Sequence, residues 1–191
     1  MHRPLLLTLS MILLAGCGEP PADEPVEDAA AITVATPIAD PTPCTVDGMH
    51  NCARTGNVLI GGQPSPEALE ALAAQGITTV VSTRGEGEID WDERAAVEAL
   101  GMRFVQIPMA SPVTGITDEQ VAALDEVLSG TEEQILLHCG SGNRVSGLWG
   151  AWLAAMRDYA PEEALRLAEL AGMRSVRPRL EERLGVGAET R

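Results

Sequence analysis

The chain predicts an α/β fold: a three-layer sandwich whose central, mainly parallel sheet of about four to five strands is flanked by helices. Three observations lead there. From Val58 onward, short aliphatic or β-branched runs alternate with stretches of helical period, the pattern of parallel strands joined by right-handed crossovers. No internal repeat interrupts that alternation. Finally, Gln134–Met156 (QILLHCGSGNRVSGLWGAWLAAM) reads as strand, tight loop and helix, and sheets of this kind hold ligands at the carboxyl ends of their strands.

The N-terminal residues predict an address, not a fold. Met1-His2-Arg3 is a short basic start, Leu5 to Leu14 is apolar, and Leu14-Ala15-Gly16-Cys17 closes the run. Residues 1–16 therefore read as a secretory signal, too short to remain as a spanning helix. LAGC resembles the bacterial lipobox, which implies lipid on Cys17 and a membrane anchor. Gly18, in place of Asp, resembles lipoproteins sent to the outer membrane, so a periplasm-facing lipoprotein is expected. Residues 17–43 then form a tether: Gly18 to Pro43 holds six acids, no base and repeated prolines, a composition that cannot bury enough apolar surface to fold.

The catalytic domain is expected over residues 44–191. Cys44 and Cys52, with seven residues between them, suit a disulfide over the Thr45–Asn51 turn in an oxidising compartment. A metal site built with His50 lacks a fourth ligand and the usual close cysteine spacing, so no metal or cofactor is expected. Val58-Leu59-Ile60 is a strand ended by Gly61-Gly62-Gln63-Pro64. Ser65 then reads as an N-cap with Pro66 at the first helical position, and the helix stops at Gly76. Ile77–Ser82 is a buried strand that opens into the glycine-rich, charged Thr83–Glu88 loop. Trp91–Leu100 reads as helix and Met102–Ile107 as the third parallel strand. Pro108–Gly115 is a loop without an acid, and Thr117 caps a helix running through Leu128. After the strand around Leu136 and its helix, Glu162–Ala171 and Arg177–Leu184 are two more helical stretches.

The chemistry is concentrated at Cys139. Gly140, Ser141, Gly142 and Asn143 follow the strand as a loop, and Arg144 opens the helix. Loop amides and a helix N-terminus converging on one point bind anions, and that field stabilises a thiolate. Arg144 can fork two oxygens of an oxyanion. His138 is expected behind the loop, because strand alternation aims it away from the pocket. Arg84 and Glu88 are expected on the rim, binding substrate or pairing with each other. Trp149 and Trp152 read as core beneath the loop. Net charge is −15 and all thirteen basic residues are Arg, which argues against a nucleic-acid partner. A small anionic substrate fits the loop instead.

HCGSGNR after a hydrophobic strand, with GGQPS near the start and TTVVSTRGEGE at the second strand, resembles the phosphatase-like domain of the beta-lactamase-hydrolase-like family, within the dual-specificity and tyrosine phosphatase fold. The resemblance covers about Gly56 to Arg157. It implies a Cys139 nucleophile, an anion cradle from Gly140 through Arg144, Arg144 as oxyanion clamp and Arg84 on the rim. Three departures accompany it. Phosphatases of this fold place five residues between Cys and Arg, whereas four separate Cys139 from Arg144. They carry an Asp in the loop after the third strand to protonate the leaving group, and Pro108–Thr114 has none. They follow Arg directly with Ser or Thr, whereas Val145 intervenes before Ser146. A four-residue interval is what rhodanese-type sulfurtransferases show. Three readings follow: sulfane-sulfur transfer through a Cys139 persulfide, phosphate hydrolysis through a phosphocysteine, and a catalytically silent binding lipoprotein.

Overall fold

The computed structural model describes residues 37–187; the signal segment, Cys17 and most of the proposed tether lie outside the described residues. Six strands form one sheet: β1 (Thr42–Val46), β2 (Met49–Thr55), β3 (Val58–Gly61), β4 (Ile77–Ser82), β5 (Arg103–Gln106) and β6 (Gln134–His138). Six helices accompany them: α1 (Pro66–Ala74), α2 (Glu93–Ala99), α3 (Asp118–Leu128), α4 (Asn143–Met156), α5 (Pro161–Leu170) and α6 (Arg177–Leu184). The strand order is β1-β2-β3-β6-β4-β5, with β3, β6, β4 and β5 mutually parallel.

The parallel part is as expected, and the helical caps are where the pattern placed them. Ser65 Oγ accepts from the Ala68 amide ahead of Pro66, and Thr117 with Gln120 forms a capping box. The number of strands is a correction. Thr45–Asn51 is not a turn under a disulfide but the middle of a β1–β2 hairpin, antiparallel to β3. Its loop is the pair Asp47-Gly48, with Val46 facing Met49 and Cys44 facing Cys52, and those two cysteines are bonded. Asp-Gly is a strong hairpin signal. It is masked here because the flanking TPCTV and MHNCART do not alternate cleanly. Residues 38–40, assigned from composition to the tether, are fastened to α5 and the segment before it. The Ile38 amide donates to Tyr159 Oη at 2.6 Å, and Asp40 pairs with Arg166 at 2.7 Å.

Alternation along the strands divides the core in two. Ile60, Val81, Ile135 and Leu137 pack with α3 to α6 on one face, while Leu59, Val80 and Leu136 pack with Leu69 and Leu72 of α1 and Val97 of α2 on the other. Trp149 and Trp152 are buried on the first face, and Trp152 Nε1 donates to Asp125 at 2.9 Å. On β6 the same alternation sends Cys139 to the α4 side and His138 to the α2 side, both at the carboxyl edge.

Candidate active site

Cys139 leaves β6 buried, and its amide donates to the Gly61 carbonyl at 3.3 Å. Gly142 is the N-cap of α4 at φ +83°, a conformation that favours glycine. A Cβ there would stand 3.3 Å from the Gly61 carbonyl carbon. No side chain caps the helix, so its first-turn amides, which have no carbonyl in front of them, remain for an anion. The loop faces a cavity of about 700 Å³ lined by Cys139, Gly140, Ser141, Asn143 and Arg144, with the 111–113 loop and residues around Ser175 opposite. The 111–113 and 139–144 loops thus meet at this cavity, whereas Arg84 and Glu88, expected on its rim, line a separate depression with Gln63 and Trp91.

The guanidinium of Arg144 is held firmly. Nη1 donates to Glu88 Oε1 at 2.8 Å and to the Met109 carbonyl at 3.0 Å, and Nη2 donates to Glu88 Oε2 at 2.5 Å. The fork expected for an oxyanion is therefore filled by Glu88. Glu88 also accepts from the Gly85 amide at 2.8 Å. Arg144 first, then that amide, hold its carboxyl well below the usual range, at about 2. Glu88 in turn, with a smaller contribution from Cys139, raises the Arg144 pKa. Arg84 contributes less to this pair: its Nε is 3.6 Å from Glu88, while Nη1 donates to Gln63 Oε1 at 2.9 Å. The expected pairing of Arg84 with Glu88 is therefore the weaker one, and the strong partner of Glu88 is Arg144, which the sequence did not indicate.

Two expected loop residues do structural work. Asn143 offers the cavity its backbone, whereas its side chain fastens the turn before α6. Its Oδ1 accepts from the Arg174 amide at 2.6 Å and the Val176 amide at 3.3 Å, and its Nδ2 donates to Ser175 Oγ at 2.9 Å. Ser146, expected to support the loop from behind or at its rim, is wholly buried behind it. Its hydroxyl lies 2.7 Å from the Gly142 carbonyl and 2.9 Å from that of Ala171. The displacement by Val145 accounts for this, since one residue is about 100° of helix.

His138 is fully buried, as its strand position implied, and it faces a partner that the sequence did not reveal: Glu93 of α2. Nε2 lies 3.2 Å from Glu93 Oε1, too far off the ring N–H axis for a good hydrogen bond. Burial pulls the imidazole down to about 3, with Arg84 and Arg144 adding to the shift and the Cys139 backbone opposing it, so His138 is neutral. Burial likewise pushes Glu93 up, against hydrogen bonds from Gln63 and Ser82 and the charge of Arg84. A glutamate in the first turn of a short helix ordinarily decorates the dipole, which is why nothing in the sequence singled out Glu93. Asn51 was also missed; its Nδ2 donates to the Ser141 carbonyl at 3.0 Å, so the hairpin braces the loop.

Comparison with known proteins agrees with this geometry. A curated beta-lactamase hydrolase-like protein from Agrobacterium fabrum is 30% identical over 97 residues, 48% of this chain but 22% of that protein. The chain thus spans about a fifth of the length of the curated relatives it matches. A candidate phosphatase from Neisseria meningitidis superimposes with a TM-score of 0.54 at 25% identity, covering 66% of this chain and 92% of that one. TpbA of P. aeruginosa superimposes with a TM-score of 0.59 at 19% identity, covering 75% and 90%. The family described as "DSP-PTPase phosphatase fused to NAD+ Kinase" matches residues 28–182. A strand-end cysteine, an uncapped helix behind a glycine loop and an arginine locked by a carboxylate sit within that span, and the chain belongs to this tyrosine-phosphatase-like family of cysteine-based phosphatases.

Proposed function

We propose that the chain transfers sulfane sulfur through a persulfide on Cys139. The observation that carries this reading is the absence of an acid at the cavity: among the described residues that line it, none is Asp or Glu. Asp118, the carboxylate nearest in sequence to the 108–114 loop, is exposed and paired with Arg183 at 2.6 Å. Ser146, which could otherwise assist a leaving group, is turned to backbone carbonyls. Hydrolysis of an ordinary phosphomonoester needs a proton on the departing alkoxide, whereas sulfite leaves without one.

In the first half-reaction the Cys139 thiolate attacks the outer sulfur of a thiosulfonate, with thiosulfate as the simplest case. The S–S bond to the sulfonyl sulfur breaks and its electron pair leaves with the sulfinate, which is sulfite when the donor is thiosulfate. The new cysteine persulfide carries its negative charge at the first-turn amides of α4. In the second half-reaction a nucleophilic acceptor, cyanide or a thiolate, takes the outer sulfur and the Cys139 thiolate returns. No oxidant or reductant is consumed. Arg144, locked by Glu88, supplies fixed positive charge beside the sulfur.

A phosphatase acting through a phosphocysteine is the second reading, favoured by family membership and by the fold shared with TpbA, which has also been solved in complex with pTyr. Such an enzyme would be confined to esters whose leaving groups depart unprotonated. The setting we propose for either chemistry is a lipoprotein anchored through Cys17 and facing the periplasm. A silent binding protein is the third reading and requires Cys139→Ser to be without effect.

The deciding experiment incubates the full chain and its Cys139→Ser variant with thiosulfate and cyanide, and separately with an aryl phosphate, while intact mass is followed. One added sulfur on the wild type alone, with thiocyanate formed, supports sulfur transfer. Cys139-dependent phosphate release without sulfur loading replaces it with the phosphatase. Neither product, with the Cys139 thiol shown to be reduced, removes both enzymes.

A further inference from the structure

The cavity at Cys139 is larger and more one-sided in charge than an inorganic sulfur donor needs. Its volume of about 700 Å³ lies within the roughly 300–1,000 Å³ typical of sites for organic ligands. Besides the loop, its lining holds four apolar side chains, Pro112 and Val113 from the 111–113 loop and Val176 and Pro178 from the start of α6. Arg179, in the first turn of α6, completes the lining. The two charged residues that line the cavity are both arginines, in a chain of net charge −15.

The part of the lining that α6 supplies is built rather than incidental. The three hydrogen bonds from Asn143 to residues 174–176 tie the turn before α6 to the reactive loop. The position of Arg179 is thereby linked to that of Cys139 through Asn143, in addition to the packing of α4 on α6. The two arginines are also held differently. Arg144 is committed to Glu88 and the Met109 carbonyl. Among the described residues Arg179 has only Glu182, at 2.9 Å in an exposed i,i+3 pair, a weak interaction that solvent and salt screen. It can exchange that partner for a ligand.

We propose that this site takes an organic, two-headed anion. The reacting sulfane or ester group sits on the Cys139 loop, a short apolar body lies against Pro112, Val113, Val176 and Pro178, and a second anionic group is met by Arg179. This assignment deepens the reading of Cys139 as the centre of an anion site and rests on it. It makes inorganic thiosulfate a competent donor that binds more weakly than the organic one, because that ion reaches the Cys139 loop alone.

Binding of non-reacting probes tests the assignment apart from turnover. n-Hexanesulfonate and its counterpart with a terminal carboxylate are titrated calorimetrically into the full chain and into Arg179→Ala, Arg179→Lys and Glu182→Gln. Added negative charge should weaken binding to so acidic a protein by default. The expected result is the reverse: the two-headed probe binds about tenfold tighter than the one-headed probe, as a charge-assisted contact provides. Arg179→Ala should abolish that preference, Arg179→Lys should keep part of it, and Glu182→Gln should enlarge it. Equal affinities in the wild type, a preference that survives in Arg179→Ala, or no binding of either probe would each overturn the assignment. If two-headed binding behaves as stated while thiosulfate and cyanide give no sulfur transfer, the reaction is misassigned and the subsite stands.

Discussion

At the scale of single residues, the site depends on how Glu88 spends its two oxygens. They neutralise a guanidinium that is almost buried, so Glu88→Gln leaves Arg144 charged beside a neutral amide. Glu88 is itself about a quarter exposed, which places the cost below that of breaking a fully buried pair. We expect a loss of about 2 kcal/mol, read from the urea midpoint, together with a large fall in turnover as the guanidinium loses its orientation. Arg144→Lys should damage turnover as severely, because an ammonium cannot bridge both Glu88 oxygens and the Met109 carbonyl. A Glu88→Gln variant with wild-type stability and rate would show the pair to be ornamental.

At the scale of elements, two packing arrangements place the loop. The β1–β2 hairpin is closed by the Cys44–Cys52 bond and touches the loop through Asn51, a non-glycine residue at φ +52°. Asn51→Gly keeps the backbone conformation but loses the bond to the Ser141 carbonyl, whereas Asn51→Ala loses both. Both variants should turn over more slowly, by about fivefold from a loosened loop. Asn51→Ala should additionally be less stable than Asn51→Gly by ~1 kcal/mol. Equal stability of the two would refute the conformational part of this account. On the other side, α4 lies so close to α5 and α6 that a Cβ at Gly150 would fall 2.7 Å from Leu180 Cδ2 and 2.8 Å from Ala168 Cβ. Gly150→Ala should cost about 1–3 kcal/mol by overpacking, despite the better helix propensity of alanine, and calorimetric melting would read it.

At the scale of the whole molecule, buried ionisable groups shape stability against pH. His138 has a folded pKa lowered from 6.5 to about 3. Its contribution is therefore complete above pH 6.5 and is lost as pH falls towards 3, because only the unfolded chain takes up the proton. Glu88 acts in the same direction but lower, from 4.5 to about 2. Glu93 acts oppositely: its raised pKa contributes stability below 4.5 that is lost as pH rises through its folded value. Between pH 6.5 and 5 the wild type should lose stability relative to His138→Gln, with a slope of up to about 1.4 kcal/mol per pH unit. Parallel urea-midpoint curves for the two proteins across that interval would exclude a neutral buried imidazole.

Much of this could be read along the chain, because local pattern carries it. Buried parallel strands such as ITTVVS must be continuously apolar. Ser65 and Thr117 announce helix starts through their own hydroxyls, and the step from a strand through a cysteine and a glycine loop into a helix is legible from local pattern alone. The alternation that sends Leu136 one way and Cys139 the other also placed His138 correctly. Other features depended on which surfaces meet. Glu93 became a buried carboxylate because α2 packs over His138, and Ser146 was fixed behind the loop because α5 ends within reach of its hydroxyl. Asn143 became the fastener of the α6 wall, and Glu88 chose Arg144 over Arg84, through contacts between residues 31 to 56 positions apart. Residue type and spacing decide which groups can react, since both are local. Partners, burial and the shape of the cavity are decided only when distant segments pack, since each is a property of the space between them.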